Sequence, residues 1–161
     1  KKKGRRLGRL NIIGNKSDEG VWESIDVNLD SGAIDHVINS NKAKQFGSRE
    51  TAYSKKGSFY EAANGTKLVN RGERDVTGVT DSGRDMGITF QSADVKEETV
   101  LGSVGKICDA GNDVLFKAGG GIIYNRKTGE KTPFTREEGV YTLRIWVPAD
   151  SMNSTFHGQG Q

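Results

Sequence analysis

The run Val21-Trp-Glu-Ser-Ile-Asp-Val-Asn-Leu-Asp30 constrains this chain most, because its pattern reads as a strand with a sharp stop. Ile25, Val27 and Leu29 alternate with Asp26 and Asn28, the two-residue period of a strand buried on one face. Asp30-Ser31-Gly32-Ala33 then turns the chain, since Asp and Ser bond to their own backbone and Gly accepts unusual dihedrals. A carboxylate is thereby delivered onto a tight loop. Ile34, Val37 and Ile38 follow and are expected to re-enter the core. Taken alone, Asp-Ser-Gly is equally an ordinary surface turn after a strand.

The rest of the chain repeats this grammar. Ser58 to Ala63 and Thr66 to Val69 flank Asn64-Gly65, the strongest two-residue hairpin signal. Glu73 to Val79 and Met86 to Phe90 flank Asp81-Ser82-Gly83 and predict a second hairpin, with Ala93 to Val95 beyond it. Thr99 to Val104 reads as an apolar strand ending at Gly102, with a short helix from Ser103 to Asp109. Asp113 to Phe116, Gly121 to Tyr124 and Val140 to Val147 are further strands, with a turn at Lys127 to Glu130. The polar stretch 39–57 reads as a long loop or short helix. Twenty-two glycines against two prolines fit short strands joined by tight turns. The expected fold class is mainly β with one short helix. One domain is expected over 21–147, between a basic, disordered segment 1–20 (with a possible edge strand at Asn11-Ile12-Ile13) and a polar tail 148–161.

Charge sharpens that division. Lys1, Lys2, Lys3, Arg5, Arg6 and Arg9 carry six positive charges, so the net +3 of the chain becomes −3 for the remainder. The segment Lys1 to Arg9 could make a weak nucleic-acid contact, but no aromatic residues interleave its charges, which favours a linker. His36, His157 and the single Cys108 are too scattered for a zinc site, and one cysteine cannot form an internal disulfide. No cofactor or metal is expected. No apolar run is long enough to span a membrane and no signal peptide is visible, so an intracellular protein is expected rather than a secreted one.

Four segments, in order, resemble the retropepsin-like aspartic protease domain of retroviruses and LTR retrotransposons, most closely the Copia type. Asp30-Ser-Gly-Ala-Ile-Asp-His36 is similar to that group's Asp-Ser-Gly-Ala-x-x-His segment. Ala63-Asn-Gly-Thr-Lys67 is similar to its Ala-Asn/Asp-Gly-Ser/Thr flap hairpin, and Val100-Leu-Gly102 to its hydrophobic-hydrophobic-Gly element. Leu101 to Phe116, Lys127 to Glu130 and Gly139 to Leu143 resemble the downstream Copia run. Ser31 stands where retroviral enzymes commonly have threonine, and Gly102 where many Copia sequences have serine. The loop 39–57 is long for the family, and the chain past Thr128 exceeds a minimal retropepsin.

The resemblance implies a small closed β-barrel-like acid protease fold that works as a homodimer. Asp30 of each chain would form a catalytic dyad, with Ser31, Gly32 and Ala33 completing each active-site loop. Tyr60, Ala62, Ala63, Asn64, Gly65 and Thr66 would form the flap over an extended peptide, and Val100, Leu101 and Gly102 would pass behind the loop. The implied activity is endopeptidase cleavage of a polyprotein, including its own; the alternative is a catalytically weak dimerisation or peptide-binding module. The chemistry suits the residue types. Two carboxylates facing one water cannot both ionise, so they share a proton, one acting as general base and the other as general acid. Gly32 lets two such loops approach, and the Ser31 hydroxyl can brace the paired loop.

Other residues read more plainly. Asp81-Ser82-Gly83 is expected to be a hairpin turn, because Arg84 follows where a small residue is wanted. His36 is expected to be structural. Asp35 reads as a contact to substrate or an arginine, or else as a solvated charge. Cys108 is expected to be buried in the short helix. Phe59 and Tyr60 suit substrate contact or packing equally, and Trp22 and Trp146 suit the core or an interface.

Overall fold

Strands with one apolar face each must cover those faces, and here the sheet does so by curling back on itself. A computed structural model describes residues 5–7, 20–61 and 65–149. The strands are β1 (Arg5–Leu7), β2 (Val21–Asp30), β3 (Val37–Asn39), β4 (Phe59–Glu61), β5 (Lys67–Thr80) and β6 (Asp85–Ala93). They continue with β7 (Val100–Ser103), β8 (Asn112–Lys117), β9 (Gly120–Asn125), β10 (Lys131–Glu137) and β11 (Val140–Pro148). Two short helices, α1 (Ala52–Lys55) and α2 (Val104–Asp109), and a 3-10 turn at Lys44–Phe46 complete the described residues. The fold is mainly β.

Six strands close a ring in the order β2-β7-β3-β6-β5-β11, with β11 pairing back to β2. β10, β9 and β8 extend the sheet outward from β11, while β1 and β4 pair with the starts of β2 and β5. Inside the ring lie Val27, Leu29, Ile38, Val76, Phe90, Val100, Leu143, Ile145 and Val147. Val27, Ile38, Phe90, Ile145 and Val147 are wholly buried. The longest seam joins β2 to β11 from Asn28↔Thr142 to Trp22↔Pro148. On its outer face Arg144 lies opposite Asp26, with Nε 2.8 Å from Oδ1, and also reaches Glu137. Asp26 raises the Arg144 pKa, so the guanidinium stays charged.

The long connection 39–57 is tied down by one buried cation. Arg74 on β5 is buried, and burial lowers its pKa, yet its partners are all carbonyls. Nε–H donates to Gly47 O at 2.9 Å, and Nη1–H to Ser40 O and Lys42 O at 3.1 and 2.6 Å. Arg74→Met is expected to destabilise the fold by about 2 kcal/mol, because three carbonyls lose a charged donor. Urea unfolding measures this; an unchanged midpoint would refute the tie.

Several sequence expectations need correction. The described residues hold two short helices rather than the one of the expected fold class, because the stretch 39–57, read as a long loop or short helix, forms α1, where Thr51 caps reciprocally with Ser54. β10 is a strand that the sequence reading passed over, since Pro133 interrupts its pattern. The proline is accommodated where β10 pairs only with β9, and pairing to β11 begins at Thr135. Ile34 does not re-enter the core; it is 84% exposed, while Val37 and Ile38 are buried. The fold also runs past residue 147: Ala149 is buried and its N–H donates to Val21 O. The strand within 1–20 is Arg5–Leu7, whereas Asn11-Ile12-Ile13 lies outside the described residues.

Candidate active site

Asp30 is the last residue of β2, and the loop it opens returns through Val37 into β3. β7 lies between these two strands, parallel to β2 and antiparallel to β3. It pairs Asn28↔Leu101, Leu29↔Gly102 and Asp30↔Ser103 on one side, and Val37↔Leu101 and Ile38↔Val100 on the other. The loop 31–36 is therefore anchored at both ends by the strand passing behind it. Val100 is buried, and a Cβ on Gly102 would sit 2.8 Å from Val27 Cγ1 and 3.1 Å from Leu29 Cδ2. Only a residue without a side chain lets β7 lie this close to the apolar face of β2.

Within the loop, the Gly32 N–H donates to Asp30 Oδ1 at 2.8 Å, which fixes the carboxylate against its own turn. Ser31 and Gly32 are exposed; Asp30 and Ala33 are half-buried. Among the described residues no lysine, arginine or histidine forms an ion pair with Asp30. A shallow pocket of about 410 Å³ opens beside it, lined by Leu29, Asp30, Ser31, Phe116, Val140 and Tyr141. Phe116 and Tyr141 meet edge to face at 4.8 Å, and Phe116 and Val140 remain 37% and 40% exposed. These apolar walls come from β8 and β11 and escaped the sequence reading. The alternation at Thr132 and Phe134 around Pro133 was the one signal that would have placed β10, and with it the sheet extension that carries β8.

Ser103 is the other residue the sequence reading missed. It is wholly buried and holds both the loop and α2. Its N–H donates to His36 Nδ1 at 2.9 Å, its hydroxyl donates to Ala33 O at 2.7 Å, and Oγ accepts the Lys106 N–H at 3.1 Å as the cap of α2. A serine before a short helix signalled the cap, but not the loop contact. Asp35 pairs with Lys106 at 3.3 Å, so its partner is a lysine rather than an arginine. A larger cavity of about 500 Å³ lies behind the loop; Asp35, His36 and Lys106 line it, Asp30 does not. Cys108 in α2 is half-buried rather than buried.

The flap segment is only partly described. Phe59↔Val69, Tyr60↔Leu68 and Glu61↔Lys67 pair β4 with β5. That register is one residue out of step with the two-residue Asn64-Gly65 turn expected, which would set Tyr60 opposite Val69. Ala62, Ala63 and Asn64 lie outside the described residues, as do the side chains of Phe59 and Tyr60. Gly65 has φ 87° and Thr66 is exposed.

The second Asp-Ser-Gly is a hairpin turn. Val79 pairs with Asp85, the Gly83 N–H donates to Thr80 O, and Gly83 takes φ 87°, the left-handed position of a three-residue hairpin loop. Asp81 Oδ1 accepts the Trp146 indole N–H at 2.6 Å. Trp146, buried, pairs with Ser24, six residues before Asp30 and about 20 Å away along β2. Trp22 is buried too, so both tryptophans belong to the core of this chain. Asp81 and Asp30 are not brought together. Among the described residues no group of three or more His, Cys, Asp or Glu could hold a metal, and no helix is long and apolar enough to cross a membrane. No protein-family model, no curated protein and no solved structure matches the chain.

Proposed function

We propose that the chain is an aspartic endopeptidase of the retropepsin type, whose dyad forms from Asp30 of two copies acting on an extended peptide of a polyprotein. The observation that carries this reading is the anchored Asp30 loop. A half-exposed carboxylate, with no cation partner among the described residues, is held by β7 at the end of a ring of strands, beside a pocket that Phe116 and Val140 wall on one side. One chain supplies one such carboxylate, because Asp81 is engaged with Trp146 at the far end of β2. The shared-proton mechanism needs a second, so a second copy must bring it. Ile34, exposed on the same loop, leaves an apolar side chain for that copy to cover.

In the dimer one carboxylate takes a proton from the water and the other gives one to the carbonyl oxygen of the scissile bond. Phe116, Val140 and Tyr141 would flank a substrate side chain next to the bond cut. The β4–β5 hairpin would close over the peptide, which would lie as an added strand. If the chain instead binds peptides without cleaving them, the same loop serves as a dimer contact.

Asp81→Asn provides the internal control. Its amide oxygen still accepts the Trp146 N–H, so cleavage of a denatured protein substrate is expected to change less than about twofold, under about 0.5 kcal/mol of barrier. A loss as deep as that of an Asp30 variant would place the second carboxylate in the same chain and refute the two-copy dyad.

A further inference from the structure

A strand-end amide that donates to an imidazole 67 residues earlier makes the Asp30 loop depend on the state of one ring. We propose that His36, as the neutral imidazole, is the positioning residue of the Asp30 loop and acts on it through Ser103. For the cleavage reaction this rests on the reading above; for the loop itself it rests on geometry alone.

The connections are short and few. Ser103 pairs with Asp30 in the β2–β7 ladder, and its hydroxyl holds Ala33 O at 2.7 Å. Its N–H ends on His36 Nδ1 at 2.9 Å, so that nitrogen carries a lone pair and the ring proton sits on Nε2. His36 thus closes the loop opposite Asp30, and one wholly buried serine joins the two ends. Protonating Nδ1 would turn the acceptor into a donor facing a donor. The Ser103 amide would then be buried without a partner, and the strand end holding Asp30 would lose its anchor.

The surroundings favour the neutral ring. Phe90 of β6 packs edge-on at 6.1 Å, α2 brings Lys106, and the loop brings Asp35, already paired with Lys106. β7 brings no charge. Glu73, Arg84 and Asp85 of the β5–β6 hairpin and Glu130 before β10 line the same cavity, and Lys106 and Asp35 are the charges that act on the ring's ionisation. Burial lowers the His36 pKa, Lys106 lowers it further and Asp35 opposes them. A folded-state pKa below the unfolded value means that the stabilisation is complete above the unfolded value of about 6.5 and is lost as pH falls below it. The loop is therefore held best at neutral pH and released by acid.

The test compares the intact chain with His36→Asn and His36→Leu. Asn can present Oδ1 where Nδ1 stands and does not titrate; Leu offers no acceptor. The wild-type melting temperature is expected to fall by about 3 °C from about pH 7.5 to about pH 5.5 beyond any fall in His36→Asn. His36→Leu should be lower than wild type at both ends. In NMR spectra of the wild type, the Ser103 amide should shift with the titration of the His36 ring, told from His157 by its absence in both variants. Where cleavage is measurable, His36→Asn should extend activity to lower pH. An equal acid loss in wild type and His36→Asn, a Ser103 amide that ignores the His36 titration, or an unmoved acid limb of cleavage would each overturn the proposal. Should neither variant fold, the wild-type amide titration decides. Absence of cleavage at every pH would refute the protease reading instead, leaving the melting and amide measurements to judge His36.

Discussion

Asp30→Asn is expected to lower kcat/KM for peptide cleavage by about a thousandfold or more, with little change in melting temperature. The two effects separate because the carboxylate has one structural partner. The Gly32 N–H donates to Oδ1, and the amide oxygen of Asn can accept the same bond. No ion pair among the described residues is lost. What Asn cannot do is share a proton with a facing carboxylate. Because each copy supplies one loop, excess Asp30→Asn chain mixed with wild type should also suppress wild-type activity, as mixed dimers carry one carboxylate. Rates on a denatured protein substrate from acid to neutral pH, with mass measured in solution, test both statements. Full activity in the variant would sink the dyad. Loss in the variant without suppression on mixing would sink its assembly from two chains.

Gly78→Ala is expected to cost about 3 kcal/mol of stability, the upper range for forcing one extra methyl into a packed interior. Gly78 lies where β5 meets β11, the seam that closes the ring through Thr80↔Ile145 and Val79↔Trp146. A Cβ there would fall 2.4 Å from Trp146 O, 2.5 Å from Ile145 Cγ2 and 2.9 Å from Val147 Cγ1. Ile145 and Val147 are wholly buried, and Trp146 is paired to Ser24 on β2, so none can retreat without opening a second seam. Denaturant unfolding should show a lower midpoint; a cost below about 1 kcal/mol would mean that the seam yields without breaking the ring.

Much of the fold was legible locally. The alternation from Ile25 to Leu29 placed β2, and Val27 and Leu29 are core residues. Asp81-Ser82-Gly83 was legible as a turn because Gly83 can take a positive φ. The short helix after β7 was legible too, although Ser103, read as its first residue, is its cap. β10 was not, because Pro133 breaks the pattern of a strand that is nonetheless paired around it. Ile34 misled for the opposite reason: an apolar residue beside a turn can remain outside, and its exposure is decided by which way the loop faces.

The candidate site divides in the same way. Asp30 and its turn could be picked out by residue type and spacing, and Gly102 through the family resemblance. That Ser103 would tie Ala33 to α2 and His36 to β7, or that Phe116 and Tyr141 would stand beside Asp30, could not. A period along the chain states which face of a strand is buried, but not which strand lies beside it. The pairing of β2 with β7 joins residues more than seventy positions apart, and the closure of β2 on β11 more than a hundred. The sequence by itself therefore determined the strands, the turns and the carboxylate at the end of β2. The tertiary structure alone decided which distant backbone and side-chain groups hold that carboxylate, because only ring closure brings them within hydrogen-bonding reach.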